Sequence, residues 1–130
     1  MDLFILNPRG HPILTTDHIQ WSRDQEADPR WHIATDRWEA ELGWVIVDTK
    51  FLGFDPRMEE ERTGAPVLFD SVAFFYPRDE EVEPERVAQQ LYRSRAAATK
   101  GHEQLVQLLT GNLSEGRENG KLKSEKRSGT

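Results

Sequence analysis

The chain contains no cysteine. This absence excludes disulfide bonds, thiolate catalysis, cysteine-ligated zinc and iron–sulfur clusters, and it agrees with a reducing compartment. Any bound metal would need histidine and carboxylate ligands. The sequence shows no such ligand motif, so we expect neither a metal nor another cofactor.

Long hydrophobic runs are also missing. The opening run, Leu3–Leu6, has only four apolar residues, and no basic region precedes it. A signal peptide needs a longer apolar segment after a basic start, and a transmembrane helix needs about 20 apolar residues. We therefore expect a cytoplasmic protein without membrane contact.

Positive charge is scarce in the body of the chain. The formal charge of the 130 residues is -6, but from Asn112 onward five basic residues outnumber three acidic ones. Residues 1–111 therefore carry -8, and such a body repels a phosphate backbone, so direct nucleic-acid binding is not expected. Residues 112–130 are polar and have too few apolar side chains to offset the entropy of ordering them, which predicts a disordered tail after a single domain over 1–111.

The first third of the chain predicts a hairpin and a helix. Apolar runs at Leu3–Leu6 and Pro12–Thr15 flank an Asn-Pro-Arg-Gly turn, which is typical of two paired strands. Thr16 or Asp17 can cap a helix that ends before Pro29, because the residue preceding proline is kept out of the α region.

Four further strands are predicted, two of them from dense β-branched and aromatic residues. The fourth segment also fits the start of a helix, but we favour a strand. Acidic loops separate the later segments, which suggests a meander. The segments are Trp31–Trp38, Leu42–Phe54, Val67–Tyr76 and Val87–Arg93.

The strand within 42–54 has two faces of different character. Strand alternation places Val45, Val47, Thr49 and Phe51 on one face. The opposite face begins apolar and turns polar partway along, so we expect it to be half core and half surface. Its residues are Trp44, Ile46, Asp48 and Lys50.

A last helix begins at Ser94, which is a typical N-cap residue. Its apolar positions recur at about 3.6-residue spacing and share one face, and glycine at 111 predicts its end. We predict an α+β fold in which a small antiparallel sheet of about four to six strands packs against this C-terminal helix. The predicted buried face contains Ala98, Gly101, Leu105, Leu108 and Leu109.

The four histidines lie in no recognised catalytic or metal-binding spacing, which favours surface or structural roles. They are His11, His18, His32 and His102. A small hydrolase remains an alternative, and it would pair His102 or His32 with Asp48, Asp55 or Asp70, with or without a divalent cation. A structure in which these groups lie on separate faces would exclude the hydrolase.

Carboxylates within apolar strands need a partner or an exposed face. We expect Asp48, Asp55 and Asp70 to form ion pairs on a wet sheet face, although a polar-ligand site is an alternative. The cations available to them are Lys50, Arg57 and Arg93.

Four tryptophans fall within 24 residues: Trp21, Trp31, Trp38 and Trp44. Aromatic surfaces bind partners by stacking, but a small domain also uses large side chains in its core. We expect at least two in the core and Trp38, between two charged residues, nearest the surface. The candidate ligand or partner site is Trp38, Trp44, Asp48, Lys50, Asp55, Arg57, Asp70, Arg93 and His102.

Three segments together resemble a family of small bacteriophage and prophage proteins with no established activity. Residues 47–56 (VDTKFLGFDP) are similar to VSTVxLGxDH, and residues 66–74 (PVLFDSVAF) are similar to PxxFETMVF. The third pattern, YxTxxxAxxGH, matches Tyr92 through His102, with serine at its threonine position. The chain departs from the first pattern at Asp48, Lys50 and Pro56, where the family has histidine at the last position.

The resemblance implies a phage or prophage origin and a place in the cytoplasm of a bacterial host, but no reaction. Small acidic proteins of this kind often act by binding, so we expect a non-catalytic protein that blocks a host protein or sequesters a small signal molecule. A minor virion or assembly component is a further alternative, and a homo-oligomer is left open.

Overall fold

A computed structural model describes residues 1–114, including the side chains of residues 1–110. The predicted disordered tail lies outside the described residues beyond position 114. Within residues 1–114, two α-helices and six strands follow one another: β1 (Leu3–Leu6), β2 (Pro12–Thr15), α1 (His18–Ala27), β3 (His32–Ala40), β4 (Gly43–Phe51), β5 (Phe69–Pro77), β6 (Glu85–Tyr92) and α2 (Arg95–Ser114).

The predicted hairpin is confirmed as the antiparallel pair β1–β2. Its turn is fixed by the Asn7 side chain, which accepts hydrogen bonds from the backbone N–H groups of Arg9 and His11, both at 2.9 Å. Gly10 has a φ of 84°, a conformation that glycine adopts without steric cost. The turn is therefore a rigid part of the fold.

The predicted first helix is also confirmed. Asp17 caps α1 by accepting a hydrogen bond from the Gln20 N–H at 3.0 Å. The helix ends at Ala27, before the Asp28–Pro29 step, where a short 3₁₀ turn leads into β3. Pro29 therefore determines where α1 ends, as the sequence predicted.

The main sheet has the order β3–β4–β5–β6, with every neighbouring pair antiparallel. This confirms the meander, and it resolves the ambiguous fourth segment as strand β6. One face of the sheet, which we call the inner face, is covered by α2. The alternation predicted for β4 is confirmed, since Val47, Thr49 and Phe51 are buried on the inner face while Lys50 is exposed.

Strand β4 ends two residues before Gly53, which joins the small hairpin to the sheet. Gly53 has a φ of 80°, and a Cβ there would lie 2.6–2.8 Å from the rings of Trp21 and Trp31. Its carbonyl accepts hydrogen bonds from the Phe4 N–H at 2.8 Å and the Trp21 indole N–H at 3.1 Å. A side chain at this position would push β1 and α1 away from the sheet.

The predicted start of α2 is confirmed. Ser94 caps the helix, since its hydroxyl accepts a hydrogen bond from the Ala97 N–H at 3.1 Å. The helix runs on to Ser114, past the end predicted at Gly111. The inclusion of Leu108 in its buried face was wrong, since Leu108 is 57% exposed. Position 108 is rotated about 200° from the buried Val106 on a helix of 3.6 residues per turn, so it faces solvent.

Two buried clusters form the core, and Ala98 lies in one while Leu105 and Val106 lie in the other. The prediction that two tryptophans are in the core is confirmed by Trp31 and Trp38. The placement of Trp38 nearest the surface was wrong, because it is 4% exposed. In a strand, charged neighbours in sequence point to the opposite face, so they did not report on the burial of Trp38.

The predicted fold class is confirmed. An antiparallel four-stranded sheet carries α2 across its inner face, and the β1–β2 hairpin packs beside the helix against the same layer.

Candidate functional site

A chain of buried polar side chains runs between α2 and the sheet. His102 Nε2 lies 2.8 Å from Asp36 Oδ2, and His102 Nδ1 lies 2.6 Å from Thr49 Oγ1. Thr49 in turn is hydrogen-bonded to the Ser71 hydroxyl. Asp36 accepts only, so the histidine donates from Nε2, and a neutral ring then accepts at Nδ1 from the Thr49 hydroxyl.

The sequence pattern explains why these groups meet. Asp36, Thr49 and Ser71 occupy inward positions on three adjacent strands, where alternation also places Trp38, Val47 and Ala73. His102 follows Ala98 by four residues on the buried stripe of α2, so the helix places the imidazole between Asp36 on β3 and Thr49 on β4.

The order of hydroxyl, imidazole and carboxylate is that of a hydrolase triad, but the setting differs. Thr49 and Ser71 have no exposed surface, and Asp36 and His102 are each 2% exposed. A nucleophile must reach its substrate, and α2 covers this hydroxyl completely. We interpret the polar chain as a structural element that fixes the helix on the sheet.

Three of these four side chains lie in the segments that carry the resemblance given above, whereas Asp36 lies outside them. Thr49, Ser71 and His102 each stand at a residue that the corresponding pattern specifies. The same holds for Tyr92 and Gly101, which are in contact, and a Cβ at Gly101 would collide with the Tyr92 ring. Five of the matched positions therefore lie where α2 meets the sheet.

Asp55 and Arg57 form the ion pair expected of them, with Asp55 Oδ2 and Arg57 Nη2 separated by 2.8 Å. Asp55 Oδ2 also accepts a hydrogen bond from the Val67 N–H at 3.0 Å, which closes the base of the charged loop 55–67. The Arg57 guanidinium holds the pKa of the Asp55 carboxyl well below its usual range, and the backbone donors of the loop act in the same direction. Both side chains line a cavity of about 380 Å³.

The outer face of the four-stranded sheet presents apolar side chains that none of the described elements covers; we call it the open face. Trp44, Tyr76 and Leu91 are 37–39% exposed there. Phe74 contacts Tyr76 with ring centroids 6.2 Å apart. Adjacent strands align the apolar members of this face: Trp44 and Ile46 on β4, Val72, Phe74 and Tyr76 on β5, and Leu91 on β6.

A positively charged side chain completes the aromatic part of the open face. The Arg37 guanidinium lies over the Trp44 ring, 5.1 Å from its centroid. Cation–π contact of this kind attracts the guanidinium to the ring face and restricts both side chains. Trp44, which the sequence named as a candidate, is thus exposed and oriented.

The polar half of the open face contains Asp48, Lys50 and Asp70. Asp70 lies opposite Lys50 in the sheet register, and its Oδ2 accepts a hydrogen bond from the Gln89 side chain at 3.3 Å. The expectation that Asp70 lies on a wet face was wrong, because this carboxylate is buried. Burial raises the pKa of the Asp70 carboxyl, which is 4% exposed. Asp48 instead accepts from the Thr35 hydroxyl at 2.6 Å.

Seven acidic residues gather at the Trp44 end of the open face; we call this cluster the acidic end. Arg78 ties the two loops together there, because its backbone N–H donates to the Leu42 carbonyl and its guanidinium pairs with Glu39. Exposed Leu42 and Val82 lie among the charges. The acidic end comprises Glu39, Glu41, Asp79, Glu80, Glu81, Glu83 and Glu85.

The catalytic grouping suggested by the sequence is only partly assembled. His102 lies on the inner face and pairs with Asp36, whereas Asp48 and Asp70 lie on the open face. His32 is near Asp48, with Nε2 and Oδ1 3.5 Å apart, and its ring also contacts Thr35 at 2.6 Å. His11 and His18 are exposed elsewhere.

Arg93 was expected to pair with a strand carboxylate, and this was wrong. Its guanidinium donates to the backbone carbonyls of Ala65 at 2.9 Å and Thr63 at 3.1 Å. The sequence did not identify Asp36 or Ser71 as candidate site residues. The signal available for Asp36 was its position two residues before Trp38, which places both on one face of β3.

Among residues 1–114, no group of three or more histidine and carboxylate side chains is placed to hold a metal ion. No helix within that range has the length and apolar composition needed to cross a membrane. Comparisons with protein-family models, with curated protein sequences and with solved structures gave no match.

Proposed function

We propose that this chain is a non-catalytic binding protein, and that the open face with its acidic end docks a basic protein surface. The observation that carries the proposal is an aromatic face in which Trp44 and Tyr76 are exposed and Phe74 is half-buried beside them. Large aromatic side chains are enriched at the centres of protein interfaces, and contiguous exposed apolar surface is typical of interaction sites.

Charge complementarity favours a basic partner. The acidic end adjoins the aromatic face, and residues 1–111 carry -8. A protein that binds nucleic acid has a positive groove, and an acidic body can compete for that groove by the same electrostatic attraction. Exposed Leu42 and Val82 add apolar contact within the charged rim.

A binding role also agrees with the burial of the triad-like groups. The hydroxyl, imidazole and carboxylate of Thr49, His102 and Asp36 are sealed beneath α2. The resemblance to phage and prophage proteins supports a partner from the bacterial host, and blocking a host nucleic-acid-binding protein is the activity that we propose on this basis.

Paired variants test the proposal. Immobilised chain is exposed to the heparin-binding fraction of a bacterial lysate, which is enriched in nucleic-acid-binding proteins. Trp44→Ser with Tyr76→Ser removes the aromatic face, and the control, Ile19→Ser, removes a 68% exposed side chain from α1. We expect one basic protein to be retained by the wild type and the control but lost by the open-face variant.

The binding of the retained protein must also depend on electrostatic attraction. The amount of this protein that is retained should fall steeply between about 50 and 200 mM salt, as protein–phosphate contacts do. Duplex DNA should also displace it, because both would bind the same basic groove. Equal retention by all three proteins, or a partner that is acidic, would show that the open face is not the docking surface. Self-association of the wild type alone, seen by sedimentation, would instead assign the face to a homodimer.

A further inference from the structure

The arginines of this acidic chain are not evenly spread, and four of them surround one cavity. The cavity measures about 670 Å³ and lies between the β1–β2 turn, the end of β6 and the first turn of α2. Its basic lining residues are Arg9, His11, Arg30, Arg93 and Arg95. Small-molecule sites in proteins commonly have volumes of about 300–1,000 Å³.

Three of these guanidiniums are held in place by backbone carbonyls. Arg30 donates to the Asn7 carbonyl at 2.8 Å, and Arg95 donates to the carbonyl of Arg30. Arg93 is held by the loop carbonyls already described. A carbonyl satisfies an N–H group but does not neutralise the charge, so the cations are positioned without being cancelled.

Among residues 1–114, a single carboxylate forms an ion pair with this group. Asp28 Oδ2 lies 2.7 Å from Arg30 Nη2, and Arg30 lowers the pKa of the Asp28 carboxyl, chiefly by hydrogen bonding. Arg9, on the rigid turn, extends an exposed side chain to the other side of the cavity. The cavity therefore keeps an excess of positive charge within a body whose net charge is strongly negative.

We propose that this cavity binds the phosphate group of a small molecule. Guanidiniums bind phosphate oxygens through charge-assisted hydrogen bonds, and fixed guanidiniums lose little entropy when they do so. Pro12 and Phe69 add apolar lining beside the cations, which suits a phosphorylated compound with an organic part, such as a nucleotide. The site is separate from the open face and does not depend on the docking proposal.

Ligand-induced thermal stabilisation tests this site, using inorganic phosphate, adenosine monophosphate and adenosine at matched ionic strength. A ligand that binds only the folded state raises the melting temperature in proportion to its occupancy. We expect adenosine monophosphate to raise the melting temperature, whether or not inorganic phosphate also does so in its own titration. We expect adenosine to have no effect. Stabilisation by adenosine without the phosphate-bearing compounds, or no stabilisation by any compound, would overturn the proposal.

Variants locate the binding. Arg9→Gln removes a cation whose side chain makes no hydrogen bond in the described structure, so its fold is preserved, and Arg23→Gln on α1 is the matched exposed control. We expect adenosine monophosphate to bind Arg9→Gln about ten-fold more weakly, as the loss of one charge-assisted contact implies, and to bind the control unchanged. Equal affinities for the two variants would place the ligand elsewhere and overturn the assignment.

Discussion

The Asp55 carboxylate joins the two ends of the loop 55–67 through Arg57 and the Val67 N–H. Asp55→Asn keeps the shape but removes the charge, and we expect it to lower the free energy of unfolding at neutral pH by about 1.5–3 kcal/mol. Urea denaturation measures this loss. The control is Glu60→Gln in the same loop, where an exposed side chain should change stability by less than about 0.5 kcal/mol.

The same residue predicts an effect of pH. The pKa of Asp55 is lowered in the folded state, so its stabilisation is fully present above the ordinary aspartate pKa of about 4 and is lost as pH falls below it. The difference in the free energy of unfolding between wild type and Asp55→Asn should therefore become smaller in urea titrations below about pH 4. A gap that stays constant down to pH 2 would contradict the ion pair.

Thr49 is the centre of the buried polar chain, with Ser71 on one side and His102 on the other. Thr49→Val keeps the volume and removes the hydroxyl, so both neighbours lose a partner in a site without water access. We expect a loss of about 1–3 kcal/mol in the free energy of unfolding. Thr99→Val, on the exposed side of α2, is the control.

A double-mutant cycle separates the hydrogen bonds from simple packing. The pair Thr49→Val and Ser71→Ala should show a coupling energy of about 0.5–3 kcal/mol by chemical denaturation, because the two hydroxyls belong to one network. Strict additivity of the two substitutions would mean that the hydroxyls do not interact.

The inward position of Thr49 was predictable, but its partners were not. Asp36 and His102 are 66 residues apart, and Thr49 and His102 are 53 apart. Their meeting depends on the register of three strands, and a slip of one residue would turn each side chain to the other face. Sequence patterns locate a strand without fixing that register.

Gly101 allows α2 to lie close to β6, since Tyr92 occupies the space where a Cβ would be. Alanine is the better helix former by about 1 kcal/mol, so Gly101→Ala would stabilise an isolated helix. In this protein we expect a net loss of thermal stability, because the Tyr92 ring must move. Lys100→Ala, one residue away and exposed, should leave the melting temperature nearly unchanged.

Replacing the ring provides the complementary measurement. In a Tyr92→Leu background the obstruction is smaller, so Gly101→Ala should cost less in the same thermal scans. An equal cost in both backgrounds would show that the collision with Tyr92 is not the reason for glycine at this position.

Most element boundaries followed from local chemistry. Asp17 and Ser94 cap helices because their side chains satisfy free backbone N–H groups within three residues, and that information is local. The end of α2 could not be read from local sequence, since the helix continues through Gly111 to Ser114. The burial of Trp38 and the exposure of Leu108 likewise depend on what packs against each element, which no short window contains.

The two core clusters belong to one structure because α2 and the central strands pass through both. Phe69 lies in the first cluster and Leu105 in the second. We expect Phe69→Ala to cost about 3–5 kcal/mol and Leu105→Ala about 2–5 kcal/mol. Each substitution should shift one common unfolding transition, whichever cluster it lies in.

Two probes report on this cooperativity. Tryptophan fluorescence senses Trp31 in the first cluster and Trp38 in the second, while far-ultraviolet circular dichroism reports on the helices and strands. The midpoints from both probes should coincide in the wild type and move together in each variant. Separate transitions would mean that the clusters unfold independently.

The position of α2 after β6 has a consequence for biosynthesis. All four strands of the sheet leave the ribosome before the helix that covers their inner face. At about 5–20 residues per second, the sheet waits roughly 1–4 s for that cover. During this interval Val47, Phe51 and the Thr49 hydroxyl lack the helix that buries them, and exposed apolar surface of this kind makes a nascent chain prone to aggregation.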